Sequence, residues 1–213
     1  MNKKLGVLML NTVFPRLIGD IGRKETFNCS VEYALVEGAT SHSVVMSDED
    51  LCSQFIESAL KLQDKGCSVI STSCGFLIKY QERIASALEV PFFSSSLLFL
   101  GRLEKQYANT VGILTADKNR LLINNPHLAQ RTVCGIEGTY FYHVYVGNAV
   151  TNEHDLDKGQ LYADLLNASK KLGRVNAILL ECTNMSPFRD NLAQALSVPV
   201  YDIVTSLETL YGL

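Results

Sequence analysis

The chain contains no CxxC pair, and its four histidines (His42, His127, His143 and His154) show no metal-ligand spacing. No zinc or comparable metal site is therefore expected. No block of lysine or arginine stands out either, since 19 basic residues face 22 acidic ones for a net charge of −3. Nothing in that balance points to nucleic acid or to an anionic membrane as a partner. No run approaches the roughly 18 apolar residues of a membrane helix. A nucleotide-binding glycine loop is missing, and so is a lysine placed for a pyridoxal Schiff base, so no cofactor is expected. The six cysteines (Cys29, Cys52, Cys67, Cys74, Cys134 and Cys182) are even in number. The rest of the chain does not describe a small, loop-rich secreted domain, however. The expectation is a cytoplasmic protein with reduced thiols. The opening MNKKLGVLMLNTVF is basic then apolar, like a signal peptide, but its apolar run is short and is followed by Pro15 and Arg16. A buried first strand accounts for it better.

What is present is a repeat. Of 213 residues, 47% are hydrophobic and 19% charged, the profile of an ordinary globular protein with room for one large domain or two small ones. One stretch reads CSVISTSCGF and then IASALEVPFF; another reads VNAILLECTN and then LAQALSVPVY. A single offset of 108 pairs Cys74 with Cys182, Ala85 with Ala193, Ala87 with Ala195, Leu88 with Leu196, Val90 with Val198 and Pro91 with Pro199. The reading is a duplicated α/β unit with one thiol at the same place in each half.

In chain order, Leu5–Leu10 is a continuous apolar run suited to a strand covered on both faces. It opens into a long loop with Asn11, Thr12, Phe14-Pro15-Arg16 and Gly19-Asp20-Ile21-Gly22. A short strand is expected at Ser43–Met46. A helix then starts with Ser47 as N-cap and Asp48-Glu49-Asp50 in its first turn, buries Leu51, Phe55, Ala59 and Leu62, and stops at Gly66. Val69-Ile70 delivers Cys74, and a helix follows with Phe76, Tyr80, Ile84 and Leu88 on one face. Val90–Phe93 reads as a strand and Ser94–Tyr107 as a helix. Thr110–Ala116 repeats the opening strand at an offset of 106, so the second half begins near residue 100. A short helix lies around Leu121-Leu122, Tyr140–Val146 is strand-like, and Asn152–Leu172 is a helix ended by Gly173. Val175–Leu180 leads to Cys182, and Ser186-Pro187 starts the next helix. Val198–Tyr201 is the last strand and Ile203–Leu210 the closing helix. This alternation predicts mainly parallel four-stranded sheets flanked by helices, with ligands collecting beyond the strand carboxyl ends. Asn11-Thr12, Cys74, Thr115 and Cys182 all lie at such ends.

A cysteine between a strand and a helix N-terminus meets unpaired N–H groups and the positive end of the helix dipole. Both favour thiolate and predict a lowered pKa. Ser71, Thr72 and Ser73 surround one thiol, Thr183 and Asn184 the other, and Glu181 either faces away or raises the pKa of Cys182. A lone cysteine after a strand is usually a small buried hydrophobe, but duplication places these two where a site is expected. If the halves face each other about a pseudo-twofold axis, the thiols approach one cleft from opposite sides. That suits a two-base reaction, with one thiolate removing a proton from a carbon and the other thiol returning one to the opposite face. The product is a racemised or epimerised centre.

The chain resembles the aspartate/glutamate (and hydantoin) racemase superfamily, which works without pyridoxal phosphate. The residues that carry the resemblance are GVLMLNT at the start, Thr72-Ser73-Cys74-Gly75, VGILTA in the middle, and Glu181-Cys182-Thr183-Asn184. It implies two α/β domains with the active site between them, residues 1–99 plus 203–213 forming one and 100–202 the other. It further implies an amino-acid racemase, isomerase in class, acting on aspartate or glutamate with Cys74 and Cys182 as the proton-transfer pair. Asn11 and Thr12 match an acidic-hydroxyl pair, here with amide in place of carboxylate. Ser73, Gly75, Thr115, Thr183 and Asn184 match positions that cradle the substrate carboxylate. Two departures bear on the substrate: Glu181 stands where glycine is usual, and Asn184 where glutamate racemases often have histidine. Arg16 is a candidate for the side-chain carboxylate of an acidic substrate, its alternative being a solvated loop arginine. A small carboxylate is thus the expected partner, and a homodimer is compatible with the resemblance.

Other readings stay open. Within the superfamily they are a hydantoin racemase, a maleate cis-trans isomerase or an arylmalonate decarboxylase, the last disfavoured by the presence of Cys74. Outside it, a cysteine hydrolase would need a histidine base and an elbow around Cys74 that its glycine pattern does not provide. A non-catalytic small-acid-binding protein is the remaining one.

Overall fold

The computed structural model describes residues 3–46, 50–108 and 110–213. The first half contains β1 (Lys4–Leu10), β2 (Ser30–Val36), α1 (Ser41–Val45), α2 (Cys52–Asp64), β3 (Val69–Thr72), α3 (Gln81–Ala85), β4 (Phe92–Phe93) and α4 (Leu100–Gln106). Then come β5 (Val111–Thr115), α5 (Lys118–Asn124), β6 (Thr132–Gly135), α6 (Tyr140–Tyr145), α7 (Lys158–Lys170), β7 (Ala177–Leu180), α8 (Arg189–Leu196), β8 (Val200–Tyr201) and α9 (Ile203–Tyr211). They build two four-stranded sheets in the orders β2-β1-β3-β4 and β6-β5-β7-β8, with every pairing parallel. The expected α/β architecture is the observed one. Among the described residues no helix is long and apolar enough to cross a membrane.

The repeat is structural. β3 and β7 lie 108 residues apart, as do β4 and β8 and the 3-10 turns Gly75–Tyr80 and Thr183–Phe188 that follow the two cysteines. β1 against β3 and β5 against β7 share one register, Leu5 opposite Val69 and Val111 opposite Ala177. Matching glycines let the matching helices approach. A Cβ on Gly6 would come 3.2 Å from Leu62 of α2, and one on Gly112 would come 3.0 Å from Leu172, just beyond α7.

The inner strands β3, β5 and β7 are buried at every position, which is why they are written as unbroken apolar or small-residue runs. In the second sheet the two faces serve different cores. Ile113 and Leu179 join the core of the first half, whereas Leu114, Ile178 and Leu180 pack with Leu161 and Leu165 of α7. The hydrophobic core therefore runs continuously from one half into the other. Ser96 adds a polar tie, donating its hydroxyl to the Leu180 carbonyl at 2.7 Å. Closing helix α9 touches the turn Ser96–Phe99 and the turn Thr183–Phe188, and Tyr211 meets Phe93 edge-on at 6.3 Å.

Two expected strands are helices. Ser43–Met46 belongs to α1, where Thr40 and Ser43 form a reciprocal capping box, and Tyr140–Val146 is α6, capped by Thr139 through the Tyr142 N–H. β-Branched and aromatic residues made both look extended, and the threonine caps decided otherwise. The strands that complete the sheets are β2 and β6 instead. The N-cap expected at Ser47, with Asp48 and Glu49, lies outside the described residues. α2 begins at Cys52, whose N–H is taken by the Asp50 carboxylate at 3.0 Å. Asp157, not the stretch near Asn152, caps α7. Pro187 sits inside the 3-10 turn, and α8 starts only at Arg189.

Candidate active site

Both cysteines stand at the carboxyl end of an inner strand, and a hydrogen bond between the halves ties those ends together. The Thr183 hydroxyl donates to the Ser73 carbonyl at 2.7 Å, while within the first half the Ser73 hydroxyl accepts the Leu10 N–H at 3.0 Å. Beyond the strand ends lies a cavity lined from both halves. Of the residues expected at the site, Cys74, Cys182, Ser73, Gly75, Arg16 and Asn184 line it. Four others do not. Asn11 is exposed, and Thr12 is half-buried with its hydroxyl 3.5 Å from the Arg16 guanidinium, which donates to it. Thr115 and Thr183 are buried behind the cavity and spend their hydroxyls on protein acceptors.

The loop after β1 reaches across to the second half. Arg16 is 9% exposed, which removes the alternative of a solvated loop arginine. Its guanidinium donates to the Asp20 carboxylate at 2.9 Å and stacks 4.9 Å from the Phe14 ring centre. Asp20, 1% exposed, also accepts the Gly22 N–H at 2.7 Å and the Asn184 side-chain amide at 2.7 Å. With its amide nitrogen committed to Asp20, Asn184 turns its Oδ1 toward Cys182, 3.7 Å from Sγ. A line of contacts thus runs from Arg16 through Asp20 and Asn184 to the second thiol.

Several lining residues were not anticipated, Phe14, Ser41, Phe76 and Tyr145 among them, and Glu181, left open between facing away and acting on Cys182, lines the cavity too and raises that thiol's pKa. Ser41 and Tyr145 come from α1 and α6, the helices that stand where strands were expected; Tyr145 was placed in the wrong element and Ser41 in none. The threonines preceding each helix, Thr40 and Thr139, were the available signal. Phe14 and Tyr145 form an edge-on aromatic pair at 4.9 Å.

Glu181 is the most unusual of these. It is fully buried. Its Oε2 accepts the Thr115 hydroxyl at 2.7 Å, and Oε1 has no hydrogen-bond partner. Burial pushes its pKa up to about 7, against the smaller lowering effects of the Thr115 hydroxyl and the Ala116 N–H. Room for it is made by Gly75 of the other half, where a Cβ would fall 2.3 Å from the Glu181 carbonyl oxygen and 2.3 Å from Oε1.

The expected lowering of the thiol pKa values is reversed. Burial pushes Cys74 up to about 12, with the Glu181 charge adding to it, and drives Cys182 well above its ordinary value for the same two reasons. Backbone N–H groups of Phe76 and Asn184 do favour the thiolates, as the geometry after a strand promises, but desolvation outweighs them. In the ligand-free cavity both sulfurs carry protons at neutral pH. Among the described residues no group of three or more His, Cys, Asp or Glu side chains is placed to hold a metal ion.

No family model matches the chain. It is 29% identical over 220 residues to a dimethylsulfoniopropionate lyase of Durusdinium sp. clade D, covering 96% of this chain and 72% of that protein. It is 26% identical over 221 residues to dimethylsulfoniopropionate lyase 7 of Emiliania huxleyi (strain CCMP1516), covering 95% of this chain and 64% of that protein. The chain therefore spans 72% and 64% of the length of these two relatives. Among solved structures it is similar to unliganded arylmalonate decarboxylase, with a TM-score of 0.61, 15% identity, and 93% and 86% of the two chains covered. It is also similar to the aspartate racemase of Picrophilus torridus, with a TM-score of 0.58, 14% identity, and 99% and 94% of the two chains covered. These likenesses show the fold, which the chain shares with arylmalonate decarboxylase and aspartate racemase. The expected amino-acid racemase is overturned by the sequence relatives, which are lyases and not isomerases over nearly the whole chain. Enzymes on both sides of the comparison support an enzyme, without supporting the isomerase class.

Proposed function

We propose that the chain is a lyase that eliminates dimethyl sulfide from dimethylsulfoniopropionate or a close analogue. The observation that carries this reading is the alignment with dimethylsulfoniopropionate lyases across 96% of the chain. The cavity chemistry supports it. A lyase acting on this compound must take a proton from the carbon beside the carboxylate. The carbon–sulfur bond then breaks, its electron pair leaves with sulfur as neutral dimethyl sulfide, and acrylate remains. The leaving group needs no proton, so one base suffices.

A thiolate is that base, and the substrate helps to form it. Each thiol is held protonated by burial and by the charge of Glu181. A permanent cation entering the cavity favours the thiolate by direct attraction in a poorly solvated space. Cys74 is the more readily ionised of the two, because Lys79 and Arg16 lower its pKa whereas Cys74 and Asp20 raise that of Cys182. Cys182 remains a thiol, and its S–H, which points to Asn184 Oδ1 in the structure, turns to the substrate carboxylate as the neighbouring carbon becomes carbanionic. After each turnover the Cys74 proton passes to solvent.

The test is headspace measurement of dimethyl sulfide from purified protein. Cys74→Ser is expected to lower kcat by about 10²–10⁴-fold, the usual worth of a positioned base. Cys182→Ser, which keeps a donor, loses less than Cys182→Ala. Full activity in Cys74→Ser would remove Cys74 from the mechanism.

A further inference from the structure

The duplication is broken at one position inside the cavity. Position 181 corresponds to Ser73 in the first half, and the Ser73 hydroxyl is consumed in accepting the Leu10 N–H. Glu181 puts a carboxyl there instead, fully buried, with Oε1 unpartnered and no ion pair to it among the described residues. The fold makes room for that oxygen from the opposite half, since only a glycine at position 75 avoids a 2.3 Å collision with it. A buried carboxylate with a spare acceptor and no cation is costly, so the group either takes up a proton or finds the missing partner in a ligand.

We infer that Glu181 is the counter-ion for the onium group of the ligand, making the cavity selective for small carboxylates that carry a sulfonium or quaternary ammonium. The inference rests on the lyase reading for the ligand's class, but the selectivity it describes is one of binding. The rest of the lining suits such a cation. Leu10, Val45 and Ala116 are apolar, and Phe76 and Tyr145 are aromatic. A primary ammonium would bring three N–H donors that need acceptors, and this wall offers few. An onium brings methyl groups and charge but no donor, so a single carboxylate with aromatic faces satisfies it. Arg16 lines the same cavity and serves the carboxylate of the zwitterion.

Calorimetric binding to the full chain separates this from the catalytic reading. The two probes are trimethylammoniopropionate and its neutral isostere, in which a tert-butyl group replaces the trimethylammonium. At pH 8 the wild type is expected to bind the onium compound roughly tenfold more tightly than the isostere, the scale of a desolvated cation contact. In Glu181→Gln that preference disappears while the affinity for the isostere is kept. If the glutamine variant fails to fold, the wild type carries the test. Its onium preference should fall as pH drops from 8 to 5.5 through the raised Glu181 pKa of about 7. The Cys182 thiol and the nearby Tyr145 are pushed up by burial and keep their protons across that range, and repeating the titration in Cys74→Ser removes the one thiol that the onium helps to ionise. Arg16, Lys79 and Asp20 are the remaining charged groups around the thiols. Equal affinity for the two probes, or a preference that survives Glu181→Gln, would overturn the inference. Glu181-dependent onium binding without dimethyl sulfide release would overturn the lyase reading alone.

Discussion

Cys74 and Cys182 occupy the place where a strand meets a turn and N–H groups converge, yet their surroundings make them poor acids. The sequence reveals the first fact and hides the second. Desolvation depends on what the other half lays over the thiols, and the carboxyl of Glu181 reaches them only because Gly75 lacks a side chain. Hydroxyls were equally illegible. Thr115 and Thr183 look like ligand-cradling groups in one dimension, and each turns out to donate to the protein itself. Glu181 also has a consequence for stability. Its folded pKa of about 7 lies above the ordinary 4.5, so ionising it is harder in the folded protein than in the unfolded chain. Folding stability from this group is therefore greatest below pH 4.5, falls as pH rises toward 7, and is level above. Relative to the wild type, Glu181→Gln should gain about 3 kcal/mol between pH 4.5 and 7 in urea unfolding. A difference that does not change with pH would show that Glu181 ionises normally.

Among the elements, burial on both faces is what made a strand readable. β3, β5 and β7 are covered at every position and were located by their composition. β2 is half-exposed along most of its length and mixes Glu32 and Tyr33 with its apolar residues, and β6 is only four residues long, so neither shows an apolar run. Helices α1 and α6 failed for a shared reason, because each is a short apolar segment whose helical state is settled by a threonine cap. The loop between β1 and β2 was legible as a long loop, and its contents explain how it is held. Arg16 and Asp20 form a buried ion pair, and Asp20 retains the Gly22 and Asn184 donors even without it. Arg16→Met should thus destabilise by about 3 kcal/mol, the lower end of the range for an orphaned buried charge. Denaturant midpoints measure this. A loss below 1 kcal/mol would mean that the two remaining donors suffice for Asp20.

For the whole molecule, the repeat read from six residue pairs extends to strand registers, turn positions and the helices α2 and α7, which are 106 residues apart at both ends. Duplication therefore revealed the architecture and the thiol pair. It could not reveal the reaction, because two thiols facing one cavity serve inversion and elimination alike. What separates the two is the charge of the ligand that the cavity favours, and that rests on Glu181, where the halves differ. The most direct measurement is proton NMR of dimethylsulfoniopropionate incubated with purified protein in heavy water. Vinyl signals of acrylate should grow in step with the methyl signal of dimethyl sulfide, with both suppressed in Cys74→Ser. Substrate signals that remain unchanged with the folded wild-type protein would contradict the lyase reading.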